Sequence, residues 1–206
     1  MVPKMQKHSF LRSAEGSIAS YDYDDFASLM AYKTFYGIGT NEGYYLMATA
    51  VSSNDNDRMT QIAAGVELNF DVIFNVPKRI EGRAFVGATL FLLGGGTPPA
   101  TGQVKVKVYH VRAGAETAIS SQITSDNMTV NGEIDYRLMI SVDITATNFK
   151  KGDILRLELV CSGSNGGAGG QSAITLEPLN YVLTSTSHTW KNTTALTFLV
   201  PFKLDL

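Results

Sequence analysis

Three histidines, one cysteine and a scatter of carboxylates are the groups in this chain that could do chemistry, and their spacing decides which chemistry is open to them. His8, His110 and His188 lie far apart, and none has a second His, a Cys or a paired carboxylate at ligand spacing. First-row metals are held by three or four such ligands, so the sequence predicts no transition-metal centre. Asp22, Asp24 and Asp25, and separately Asp55 and Asp57, could present oxygens to calcium. Neither set has the spaced loop with a downstream glutamate, which leaves them as turn and capping residues. Gly37-Ile38-Gly39-Thr40-Asn41-Glu42-Gly43 is one residue off the spacing of a nucleotide-binding turn, and Gly163 to Gly170 lacks the Gly-Lys-Ser/Thr ending that holds phosphates.

Nucleophilic catalysis fares no better. Serines are plentiful, but there is no nucleophile elbow and no histidine placed by sequence to act as a base. Asp153 and Glu158 are oddly separated, so a strand puts them on opposite faces and they cannot form a glycosidase pair alone. Cys161 is in phase with Leu155, Leu157 and Leu159 and reads as a small buried hydrophobe. Together these readings predict that the chain is not an enzyme and has no catalytic, metal or cofactor-binding residues.

The elements that would carry these side chains are strands. Between Leu196 and Leu206 every even position is apolar (Leu196, Phe198, Val200, Phe202, Leu204 and Leu206), the pattern of a strand with one face in a core. Val66 to Val76 alternates likewise until Pro77, and Ala84 to Leu93 is almost continuously apolar, as in a strand buried on both faces. Val104, Val106 and Val108 form a third strand with a polar opposite face, and Ile134 to Ile144 a longer one. Phe149 to Asp153 reads as a turn into a strand from Ile154 to Cys161, Ser162 to Ser172 as a glycine-rich surface loop without a packing role, and Ile174 to Val182 as a short strand and bend. Phe70, Leu138, Leu157 and Phe198 are the expected core. The strand spacing, with no helical period beyond Gly65, predicts an all-β fold: an antiparallel β-sandwich of jelly-roll type with an extended N-terminal arm.

Residues 1–59 form that arm, and residues 60–206 the sandwich. The arm has weak periodicity, a possible helical turn over Asp24 to Met30, and a crowd of aromatic rings: Tyr21, Tyr23, Phe26, Tyr32, Phe35, Tyr36, Tyr44 and Tyr45. Rings without a period are hard to bury within one small sandwich, so these eight are the candidate interface. They predict a homo-oligomer, a trimer being the first expectation.

Composition narrows the partners. With 17 Lys and Arg against 19 Asp and Glu, and only 17% charged residues, the 206-residue chain lacks the basic stripe of a nucleic-acid binder. Lys4, Lys7, His8 and Arg12 read as a solvated arm. Met1 to Arg12 has no continuous apolar run and no stretch reaches the length of a membrane span, giving the expectation of a protein made in a cytoplasm, with no membrane partner.

Asn75-Val76-Pro77-Lys78-Arg79-Ile80, Phe149-Lys150-Lys151-Gly152-Asp153-Ile154-Leu155-Arg156-Leu157, Glu177-Pro178-Leu179-Asn180 and Val200-Pro201-Phe202-Lys203-Leu204-Asp205-Leu206 are diffuse strand-and-turn phrases. In these, the stretch from Gly65 onward resembles jelly-roll structural proteins of tailed bacteriophages and related marine viruses. The resemblance implies a virion structural protein, a capsid decoration, cement or minor capsid protein. Such a protein would bind the major capsid protein or another virion component and stabilise the shell. It carries over no site residues. The competing expectation is a carbohydrate-binding or receptor-binding β-sandwich module, with Trp190, Tyr181 and His188 as its candidates.

Overall fold

The computed structural model describes residues 31–40, 43–48, 59–61, 65–167, 170–175, 183–184, 189–190 and 196–203. Among these there are fifteen strands. In chain order they are β1 (Ala31–Thr40), β2 (Gly43–Met47), β3 (Met59–Gln61), β4 (Val66–Ile73), β5 (Lys78–Leu93), β6 (Ala100–Arg112), β7 (Ala115–Ala118) and β8 (Ile123–Thr124). There follow β9 (Met128–Val130), β10 (Glu133–Phe149), β11 (Ile154–Ser164), β12 (Gln171–Thr175), β13 (Leu183–Thr184), β14 (Thr189–Trp190) and β15 (Thr197–Lys203). The described residues hold no helix, and so none that could cross a membrane.

All but β13 and β14 belong to one sheet. From β10 it runs through β5, β15, β1, β2, β4 and β11 to β6, whose far edge pairs in turn with β9, β8 and β7. It then curls back on itself. Ser120, just past β7, bridges Ile144 of β10, and Thr145 N–H donates to Ile119 C=O at 2.8 Å. The inner face thereby encloses a single core to which β1, β2, β4, β5, β6, β10, β11, β12 and β15 all contribute.

The all-β expectation is met, while the purely antiparallel jelly-roll sandwich is not. β2 and β4 are parallel, with Tyr44 beside Phe70, and the core lies within one curled, mixed sheet. Part of the expected arm is also sheet. β1 and β2 stand between β15 and β4, and Phe35, Ile38 and Leu46 are buried there. Gly37 interrupts the apolar pattern because Leu196 presses against it: a Cβ would stand 2.3 Å from Leu196 Cδ2, and Gly37 N–H donates to Leu196 C=O at 2.9 Å. Residues 1–30, with the expected helical turn and Tyr21, Tyr23 and Phe26, lie outside the described residues, as does the rest of the 176–182 bend.

The core phases follow the sequence closely. Val104, Val106, Val108, Leu155, Leu157, Leu159, Phe70 and Phe198 are fully buried. Leu138 is only half-buried, because the start of β10 extends past the centre of the core. Pro201 has no N–H for a ladder, and the pairing of β15 with β5 shifts register between Leu199 and Phe202 at that point.

The glycine-rich stretch is not a free loop. Ser162 to Ser164 pair with β6, and Gly166 and Gly167 lie against the 95–100 backbone. Gly167 N–H donates to Pro98 C=O at 2.8 Å, and the buried Ser172 hydroxyl donates to Thr101 and Ser164 carbonyls at 3.2 and 3.1 Å. A Cβ on Gly163 would lie 2.2 Å from the Thr101 carbonyl oxygen. We therefore expect Gly163→Ala to cost about 1–3 kcal/mol by forcing the backbones apart. Gly132→Ala, with open space around it, should stay within about 0.5 kcal/mol. Paired urea titrations check this, and equal stabilities would show that the loop is not clamped.

Candidate functional site

The most developed polar constellation closes one end of the core. Along β6 the inward phase runs Val104, Val106, Val108 and then His110 and Arg112; along β11 it runs back from Leu155 to Asp153. Strand geometry therefore delivers a histidine, an arginine and a carboxylate to the same place. Asp153 is 4% exposed. Its carboxylate accepts from Arg112 Nη2 at 2.6 Å and Nε at 3.0 Å, and from the Lys150 N–H at 2.7 Å, with His110 Nε2 at 2.8 Å. The His110 ring lies 4.5 Å from that of Phe149, and Arg112 Nη2 also donates to the Asn148 carbonyl at 3.2 Å.

Hydrogen bonding from the Arg112 guanidinium is the main reason that the Asp153 carboxyl ionises well below the usual carboxylate range. The Lys150 amide and His110 assist, and burial works against them. Arg112 Nη2, the Lys150 N–H and His110 Nε2 meet on Oδ2, and Arg112 Nε holds Oδ1, so both carboxylate oxygens are engaged. Among the described residues, His110 contacts Asp153 and Phe149, and no nucleophile is hydrogen-bonded to it. The constellation is a clamp: it ties the 149–153 turn to β6, while Phe74 N–H and C=O tie the same turn to the end of β4.

A second network occupies the outer face of β4, β11 and β7. Arg156 holds Asp71 with two parallel bonds of 2.7 Å and also pairs with Glu116. Glu158, on the same face, ionises above its ordinary value through burial and the nearby charge of Glu67. Asp71 and Glu116 thus answer to Arg156, and the described residues contain no His, Cys, Asp and Glu group fit to hold a metal. Cys161 is fully buried, and burial pushes its thiol up to about 12. It should resist a thiol reagent at neutral pH in the native protein and react at once in denaturant; labelling without unfolding would contradict the packing.

The aromatic candidates separate by face. Phe35 belongs to the core, which corrects its place among the interface residues, and Tyr44 is half-buried with its ring 5.2 Å from Phe70. Tyr32 and Tyr45 are exposed and Tyr36 is half-buried, all outside the core. Tyr36 belongs to a row the sequence did not reveal. Met139, Gly87, Thr197, Tyr36 and Met47 are consecutive neighbours across β10, β5, β15, β1 and β2. Met139 is 68% exposed and Met47 40%. The half-buried Phe85 and Leu199 adjoin the row, with the Tyr32 ring 6.1 Å from Phe85. Of the glycan candidates, Tyr181 and His188 lie outside the described residues, and for Trp190 only its backbone pairing with Leu183 is described.

No protein-family profile matches the sequence, and no curated protein matches it. Solved structures share its fold. The CocE/NonD family hydrolase of Staphylococcus aureus superposes with a TM-score of 0.56 at 12% identity, over 92% of this chain and 39% of that one. An α-amino acid ester hydrolase does so with a TM-score of 0.56 at 10% identity, over 84% of this chain and 36% of that one. A viral particle structure of infectious bursal disease virus aligns over 98% of this chain and 39% of its own, at 16% identity and a TM-score of only 0.35, which carries no weight. The chain thus spans less than two-fifths of the hydrolases it resembles. These neighbours overturn the expectation that the chain is not an enzyme: structures that share its fold include hydrolases, and the likeness is one of fold.

Proposed function

We propose that the chain is an assembly module, an all-β unit that acts by adhering to other protein surfaces, in the setting of a virion shell that it would decorate or cement. The observation that supports this reading is the outward apolar row from Met139 through Tyr36 to Met47. Met139, Tyr36 and Met47 stand in line on three strands, with Gly87 and Thr197 between them and both methionines open to solvent, and such an exposed apolar patch is a feature of association surfaces. The polar clusters, by contrast, are engaged in holding turns and strands together. Mass spectrometry of purified particles tests the setting, and co-sedimentation of Met47→Asp with undecorated shells tests the surface. Absence of the chain from particles, or undiminished binding of the variant, would count against the reading.

The fold likeness to hydrolases favours a second reading, in which the chain is the β-module of a hydrolase whose remaining parts lie on other polypeptide. Hydrolysis of amino-acid esters by the purified chain, or by a complex that it captures, would favour this one. The described residues place no nucleophile beside His110, so such turnover requires groups from elsewhere.

A further inference from the structure

Strand β10 has two edges with different fates. One is paired with β5 along its length. On the other, Ser120 and Ile119 meet Ile144 and Thr145, while Glu133 to Met139 pair with nothing among the described residues. An open edge seven residues long is a template for another strand. Its side chains are also unfinished. Ile134 is 38% exposed, and Tyr136 and Leu138 are only half-buried. Asp135 Oδ1 is buried without a hydrogen-bond partner, and burial together with the charge of Glu133 pushes this carboxyl above its ordinary value. Arg137, two residues along the same face, is exposed.

We propose that β10 pairs with β10 of a second copy of this chain, antiparallel and two-fold, in a register centred on Tyr136. Directly opposed residues of an antiparallel pair share a face. This centre sets Asp135 opposite Arg137 of the partner subunit, twice by symmetry, and gives the orphaned carboxylate oxygen a cationic donor. On the inner face it sets Ile134 opposite Leu138 of the partner subunit and covers both. Neighbouring centres fail: Asp135 or Arg137 as centre brings like charges face to face, Ile134 opposes Asp135 to Glu133, and Leu138 leaves both charges facing neutral residues. The interface is isologous, as a two-fold axis demands. It makes a dimer in place of the trimer expected from the sequence, and it holds whichever of the two proposed settings applies.

Light scattering of the purified full chain over a wide concentration range should give a dimer. Arg137→Asp and Asp135→Arg should each weaken association by about tenfold or more, since like charges then oppose each other at both ends of the pair. The double variant restores opposite charges in every pair and should recover the dimer. Tyr136→Cys, on the two-fold axis, should form a disulfide-linked dimer on mild oxidation, because opposed strand residues are within disulfide reach. This variant keeps the test alive if Asp135→Arg does not fold. A wild-type monomer or trimer at all concentrations would overturn the proposal, as would a double variant that folds and stays monomeric, or a Tyr136→Cys chain that does not cross-link.

Discussion

Asp153→Ala is expected to cost about 3–5 kcal/mol, more than any other single polar substitution in the described sheet, because it leaves buried donors with nothing to accept from them. The Arg112 guanidinium, the His110 ring and the Lys150 amide all converge on this carboxylate. Removing it strands a positive charge and two N–H groups at the mouth of the core and releases the turn that leads into β11. Arg112→Ala should cost less, since its side chain is 45% exposed and water replaces much of what it loses. Urea midpoints at neutral pH measure both, and a loss under about 1 kcal/mol for Asp153→Ala would show that the clamp is dispensable.

The same carboxylate gives the protein a defined acid sensitivity. Its folded-state ionisation is depressed, so its stabilisation is complete above the ordinary Asp value of about 3.9 and is lost as the pH falls below that toward the native one. The stability difference between wild type and Asp153→Asn should therefore be constant from neutral pH to about 5 and shrink steadily below 4. A difference that grows on acidification has the wrong sign for a depressed carboxyl.

How much of this could be read from residues alone depends on whether a contact is local in phase or distant in chain. The valines of β6 and leucines of β11 announce their inward faces by alternation, and both strands bury as that alternation requires. The clamp was present in the same pattern: His110 and Arg112 continue the valine phase, and Asp153 continues the leucine phase. Polar residues carried into the core phase of two strands are a signal that they meet, though it is visible only once β6 and β11 are known to be neighbours. The β1 and β2 strands were not legible, because their places depend on remote partners. β1 pairs with a strand more than 150 residues away, and β2 lies parallel to β4. Gly37, which looks like a breaker, is the accommodation of Leu196. The open edge of β10 and the apolar row beside it are properties of strand order, which no single segment encodes.

The aromatic chain beside the clamp is the other place where one substitution should be severe. Phe149 is 2% exposed and lies between His110, at 4.5 Å, and Phe74, at 5.0 Å in an edge-to-face contact. Phe74 in turn meets Phe202 at 6.0 Å, and Phe202 meets Phe35 at 6.3 Å, so the rings run from the end of β6 across to β1. Phe149→Ala should cost about 3–5 kcal/mol, through lost transfer energy and a cavity that the flanking strands cannot close. Leu138→Ala, half-buried near the open edge, should cost markedly less, about 1 kcal/mol. Because the Phe149 ring packs on the histidine that Asp153 orients, the two large effects must overlap. In the double variant Phe149→Ala with Asp153→Ala, whatever loosening of the turn the first change causes is no longer available to the second. The combined loss should fall short of the sum by about 0.5–3 kcal/mol. Strict additivity in denaturant titrations would mean that ring and carboxylate stabilise the turn independently, and that the 149–153 segment is held at two separate points.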